Sequence, residues 1–283
     1  MRRGFAVRVA VFSRCLLLGL YLVGSIAWAA DVPDPAANPV WQKIRASLFA
    51  GKAVTPSQGA QLILELPARA EDAATVPVAI RSDLPLTGQS AVEKIYLIVD
   101  DNPSPIAAVF SLYPLAGRVD LETRIRVESY THVRALAQLR DGSVLMAVRH
   151  IKASGGCSAP AGREADKASI GRMRLSLPRG RQVGRPSQVQ LMVNHPNESG
   201  LAMDQLTRLY PPAYYVRSLD VRFRGEPVLS AELDFAISQN PHFRFYLQAG
   251  EDGPLEVTVT DTQEREFKIV TPLALISGPQ QRP

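Results

Sequence analysis

From Val76 onward the chain is written in short segments rich in β-branched and aromatic residues, separated by turn residues, and this pattern points to an all-β fold. Leu219, Val221 and Phe223 alternate with Asp220, Arg222 and Arg224. Leu233, Phe235 and Ile237 repeat the period, as do Phe243, Phe245 and Leu247, and then Leu255, Val257 and Val259. A period of two places one face on a core and the other in water. The same alternation in Thr123-Arg124-Ile125-Arg126-Val127-Glu128 predicts a strand with its arginines turned outward. Further strands are expected over 94–99, 107–112, 132–139, 144–151 and 173–177, with a hairpin at Asp141-Gly142. Strands recurring about every ten residues suit antiparallel sandwiches of immunoglobulin-like kind. No βαβ rhythm is present, which argues against a nucleotide-binding sheet. Pro39, Trp41, Ile44 and Leu48, before Gly51, predict one short N-terminal helix lying on a sheet.

A chain of 283 residues, 46% hydrophobic and 21% charged, can bury a sizeable core and is not disordered along its length. The accumulation of Gly, Ala, Ser and Pro over 153–186 divides it, so two domains are expected, 30–165 and 166–283, joined by a loop that carries Cys157.

Residues 1–29 read as a signal peptide. Arg2, Arg3, Arg8 and Arg14 precede an apolar run from Leu16 to Val23, and Ala27-Trp28-Ala29 places small residues at a cleavage site. The run is shorter than the ~20 residues of a spanning helix, so export with cleavage is favoured over retention as an anchor. Arg2-Arg3 is compatible with twin-arginine export as well as with an arginine-rich Sec leader. Subtracting the four leader charges from the net +5 leaves the remainder near +1, with both signs interspersed, which argues against nucleic acid and against a membrane partner after cleavage.

Cys15 falls within the leader, leaving Cys157 as the single thiol of the mature chain. An intramolecular disulfide is then impossible, and a lone thiol in an oxidising compartment is worth flagging as reactive. Gly155, Gly156 and Ser158 surround it with little bulk and wide backbone freedom, so an exposed loop thiol is expected, with a pKa near ~8.5. The other reading is a buried cysteine acting as a small hydrophobe. His150 and Lys152 are near enough in sequence to bias the thiol toward thiolate.

Little other chemistry is written into the chain. His132, His150, His195 and His242 show neither paired nor metal-ligand spacing, so no metal and no cofactor is expected. Walker, GxGxxG, GxSxG and HExxH motifs are absent. A Cys-His hydrolase stays possible because triads assemble in space, but such enzymes hold their nucleophile rigidly.

Val76-Pro77-Val78, Asn102-Pro103-Ser104-Pro105, Thr123-Arg124-Ile125-Arg126 and above all Gly155-Gly156-Cys157 resemble SoxY. His195-Pro196-Asn197-Glu198-Ser199-Gly200 and Asn240-Pro241 resemble SoxZ. The chain is thus similar to a SoxY-SoxZ fusion, of the kind associated with quinoprotein dehydrogenases. Here Ser158-Ala159-Pro160 and a whole domain follow the cysteine, which in SoxY stands at the extreme C-terminus. The resemblance implies two immunoglobulin-like sandwiches and a periplasmic carrier without catalytic activity of its own. Cys157 would attach sulfur intermediates covalently, on an arm of Gly155, Gly156 and Ser158. His195, Glu198 and Gly200 would serve domain docking. Partners would be Sox-type periplasmic enzymes or a quinoprotein dehydrogenase system, and the alternative function is a non-covalent accessory module of that system.

Overall fold

The computed structural model describes residues 32–160, 167–178 and 182–274. The expected leader, including Cys15, lies outside them. From Pro35 onward the described residues form one compact unit.

Its one α-helix, α1 (Pro39–Leu48), begins where Asn38 accepts hydrogen bonds from the amides of Val40 and Trp41, with Pro39 in the first turn. The strands are β1 (Val54–Pro56), β2 (Ile63–Glu65), β3 (Val76–Ser82), β4 (Val92–Val99), β5 (Ile106–Leu112), β6 (Val119–Ile125), β7 (Thr131–Leu139), β8 (Val144–Ile151), β9 (Met173–Ser176), β10 (Ser187–Val193), β11 (Val216–Phe223), β12 (Glu226–Leu233), β13 (His242–Leu247), β14 (Gly253–Asp261) and β15 (Glu266–Leu273). They form two sheets, a nine-stranded one in the order β1-β8-β7-β4-β5-β12-β11-β14-β15 and a six-stranded one in the order β2-β3-β6-β13-β10-β9. Pairing is antiparallel except for β1 beside β8.

The expected all-β, sandwich-type fold is present, and the two halves, expected as two sandwiches joined by a loop, merge edge to edge. Strand β5 pairs with β12, setting Leu112 opposite Leu229 and Phe110 opposite Ala231. In the second sheet Glu122 of β6 stands opposite Arg244 of β13, and the two side chains form an ion pair. Both sheets therefore run through both halves, and one cluster of buried side chains, from Leu62 to Leu273, fills the space between them. The Phe110 and Phe243 rings meet edge to face at 6.4 Å in this shared core.

Strands β10, β13 and β14 alternate between buried and partly exposed residues, as their sequence period demands. Strand β7 is buried on both faces because α1 covers the outer side of β4, β7 and β8. Trp41 is buried there with Ile98, Leu136 and Val144; Phe49, just past the helix, takes the inward position that the sequence assigned to Leu48, which is exposed. Beneath the helix, Arg134 meets Asp100 through Nε–Oδ1 at 2.7 Å and Nη2–Oδ2 at 2.6 Å.

Three details differ from the sequence reading. The alternating run through Leu233, Phe235 and Ile237 is not a strand beyond Leu233: Phe235 and Ile237 lie in the β12–β13 connection, with Ile237 bridging to Ile125. Strand β6 stops at Ile125, and Arg126 turns inward instead of toward water, because the chain there leaves the ladder to pair with Ala236 and Ala73. His132 and His150, unpaired by sequence spacing, face each other across β7 and β8 with ring centroids 5.1 Å apart. Among the described residues no helix is long and apolar enough to cross a membrane, and no group of three or more His, Cys, Asp or Glu is placed to hold a metal ion.

Candidate functional site

Three segments converge on Cys157, and the first is the continuation of β6. Asn102, held in the turn after β4, donates from Nδ2 to the Arg126 carbonyl at 2.8 Å and accepts the Glu128 amide at 2.9 Å. The Asn-Pro-Ser-Pro turn thereby sets the main chain of both residues that hold the cysteine segment.

The second segment is the cysteine turn. The amides of Gly155 and Gly156 donate to the carbonyls of Glu128 and Val127 at 2.8 and 3.0 Å. The Glu128 carboxylate then accepts three hydrogen bonds: from the Cys157 amide at 2.8 Å, the Ser158 amide at 3.1 Å and Ser158 Oγ at 2.9 Å. From below, Arg126 Nη1 donates to the Gly156 carbonyl at 3.1 Å.

The third segment comes from the other half of the chain. Asn197, in the left-handed region at φ +43°, spans the junction: its Nδ2 donates to Ile237, its Oδ1 accepts from Val216, and its carbonyl accepts Arg126 Nη2 at 3.1 Å. Ser199 Oγ donates to the Cys157 carbonyl.

The thiol is closed in as a result. Cys157 is 0% exposed, which overturns the expectation of an open loop thiol. Burial pushes its pKa from 9.0 to about 12, the nearby Glu128 carboxylate pushes in the same direction, and Arg126 only partly opposes them. The expected value near ~8.5 belongs to an undocked segment. His150 and Lys152 are not among the groups that act on the thiol; the charges that do are Glu128, Arg126 and Asp234. A thiol held protonated is the reverse of an activated nucleophile, which argues against the Cys-His hydrolase.

The glycines earn their place by close approach rather than by mobility. A Cβ at Gly156 would stand 2.0 Å from the Ala73 carbonyl oxygen and 2.7 Å from that of Val127. Both are backbone atoms, so neither can move aside cheaply. Gly155 adopts φ +78°, a region that glycine enters freely. Gly156→Ala is therefore expected to unseat the turn and cost about 1–3 kcal/mol, as overpacking does. Urea unfolding together with hydrogen exchange at the Cys157 amide would measure it; unchanged protection of that amide would show that the close approach does not matter.

Of the residues assigned to docking, His195, Glu198 and Gly200 lie in the segment that touches the cysteine turn, but the contacts are made by their neighbours: Ser199 bonds to the Cys157 carbonyl, and Asn197 bonds to Arg126, which in turn holds the Gly156 carbonyl. His195 is 0% exposed, accepts the Asn197 amide at Nδ1 and lies 4.4 Å from the Tyr214 ring, and burial keeps its pKa low and the ring neutral. Glu198 pairs through its main chain with Tyr214, and Gly200 at φ +77° lies close against Ala213. Arg126 and Glu128 stood in the sequence only as polar positions of an alternating run, and the end of β6 shows that they serve the cysteine.

The family model for "Sulfur oxidation protein SoxY" matches residues 45–157, ending on the cysteine, and that for "Sulphur oxidation protein SoxZ" matches residues 173–271. A search of curated proteins gave no match. Among solved structures, the sulfur carrier protein SoxY from Chlorobium limicola f thiosulfatophilum is 23% identical, covering 40% of this chain and 91% of its own, with a TM-score of 0.35. Fibronectin(III)-like modules of Clostridium thermocellum CbhA are 10% identical, covering 76% of this chain and 95% of their own, with a TM-score of 0.24. A superoxide reductase (neelaredoxin) variant from Ignicoccus hospitalis is 15% identical over 41% of this chain and 90% of its own, with a TM-score of 0.29. With the two family domains in tandem and the cysteine at their junction, the chain is a SoxY–SoxZ fusion.

Proposed function

We propose that this fusion is a periplasmic carrier, with no catalytic activity of its own, that holds sulfur intermediates on Sγ of Cys157 by a covalent bond while partner enzymes load and unload it. The observation that carries the reading is the position of Cys157: it is the last residue of the SoxY match and the one thiol outside the expected leader, on a turn whose cysteine and serine amides are both held by one carboxylate. The arginine-rich leader supports export. Sox-type oxidising enzymes or a quinoprotein dehydrogenase system are the partners this reading requires.

Burial of the thiol adds a step. The nucleophile in sulfur exchange is the thiolate, and a docked thiol with its pKa near 12 is protonated at neutral pH and covered. Loading then follows release of the turn, after which the cysteine titrates like an ordinary thiol. A partner that binds the released form shifts the population toward it.

The same burial favours a second reading, a non-covalent accessory module of a quinoprotein dehydrogenase system in which Cys157 is a small core residue. Intact-mass spectrometry of protein recovered from the periplasm of cells oxidising sulfur compounds separates the two. The carrier reading expects adducts on Cys157 that reductant removes and Cys157→Ser abolishes, together with loss of function in that variant. Unmodified protein throughout, with full function in Cys157→Ser, would establish the accessory reading instead.

A further inference from the structure

Among the described residues two arginines are enclosed, and their surroundings differ. Arg134, 0% exposed, has both oxygens of Asp100, and its guanidinium lies 4.4 Å from the Trp41 ring. Arg126, 2% exposed, has two backbone carbonyls, those of Gly156 and Asn197, and its Nε has no acceptor. Among the described residues no carboxylate bonds to it. Neutral carbonyls compensate a buried guanidinium only in part, so positive charge is left enclosed against the peptide that precedes Cys157. Burial lowers the pKa of Arg126, and the charged form of Cys157 is the first group to work against that, ahead of Asp72.

The geometry points to Arg126 as the cationic half of an anion site completed by the cargo: an ionised sulfur terminus on Cys157, such as a sulfonate, is held against the guanidinium as the turn redocks, and an uncharged group is not. This rests on the carrier reading. A neutral thiol leaves the Arg126 charge unmatched, whereas an anionic adduct supplies both the missing charge and an acceptor for the free N–H. The charge of the cargo, more than its bulk, then decides whether the loaded turn is closed or presented.

Two reagents separate charge from size. The Cys157 thiolate attacks an inner sulfur of tetrathionate, forming an Sγ–S bond as the central S–S bond breaks and thiosulfate leaves with the electron pair; the thiol proton passes to solvent. The product ends in an ionised sulfonate. With methyl methanethiosulfonate the thiolate forms an Sγ–S bond to the methylthio group and expels methanesulfinate, leaving a smaller, uncharged cap. Hydrogen exchange is then read at the amides of Gly155, Gly156, Cys157 and Ser158.

In the natural chain the charged, bulkier adduct is expected to keep these amides about tenfold more protected than the methyl cap, the size of effect that hydrogen bonds to a charged group produce. Arg126→Gln reverses the order and Arg126→Lys restores it. Equal protection of the two adducts in the natural chain overturns the inference whether or not the variants fold, and so does an unchanged order in Arg126→Gln. If neither reagent labels Cys157 on the folded chain and protein recovered from the periplasm also carries no adduct there, the carrier reading fails and takes this inference with it.

Discussion

Replacing Glu128 by alanine is expected to speed iodoacetamide labelling of Cys157 in the folded protein by about thirtyfold. The carboxylate accepts two amides and one hydroxyl of the cysteine turn, and their joint loss is worth about 2 kcal/mol at the level of single charged hydrogen bonds. That energy separates the closed turn from the open one, so its loss appears as a larger open fraction and a faster reaction. The change also removes a negative charge that holds the thiol protonated. Labelling at the natural rate would show that the carboxylate is not the fastening.

The same experiment has a pH signature. The docked thiol has its pKa raised to about 12, so the closed turn binds its proton more tightly than the open one does. Docking is therefore at full strength below the open-state pKa of ~8.5 and weakens as pH rises from there toward the docked value. While the turn remains mostly closed, labelling of the natural protein keeps climbing about tenfold per pH unit above pH ~8.5, because each added increment of open thiolate is drawn from a closed, protonated pool. The urea-unfolded chain levels off near ~8.5. A plateau at that pH in the folded protein would mean that the thiol is not held in a closed turn.

Phe110→Ala should cost about 3–5 kcal/mol, the usual range for a large aromatic lost from a packed core. Phe110 is 2% exposed, sits on β5 opposite Ala231 of β12, and meets Phe243 of the second sheet. It touches the SoxY–SoxZ seam in one sheet and across the core at once. At about 2–4 °C per kcal/mol for a chain of this size, the melting temperature falls by about ten degrees. Because both sheets run through both halves, the variant should still melt in a single calorimetric transition. Two separated transitions, with only the first displaced, would show that the halves hold themselves up independently.

Much of the fold was legible in the residue pattern. The alternation in β11, β13 and β14 is complete in the sequence because each strand has one face on the core and one in water. Three of the four edge strands were harder to see. β1 and β2 are three residues each, too short for a period, and β15 has only Leu273 buried. The run through Phe235 and Ile237 imitated a strand because Ile237 is buried from a loop, where a two-residue period says nothing about pairing.

The cysteine could be found from the sequence because it is the single thiol outside the expected leader, and its glycines because small residues cluster around it. What the chain could not disclose in one dimension is that Gly156 lacks a side chain in order to lie against Ala73 and Val127, so a motif that reads as freedom serves close packing. Arg126 and Glu128 looked like the watery face of a strand, but the strand ends before them, and Asn102, far off in sequence, turns their backbone toward the cysteine. Asn197 and Ser199 arrive from the other half only because both sheets continue across the seam. Composition and period thus determined the all-β class and singled out the sulfur; whether that sulfur is open or closed, charged or protonated, depends on distances between segments that only the packed sheets set, since desolvation and charge act through space and not along the chain.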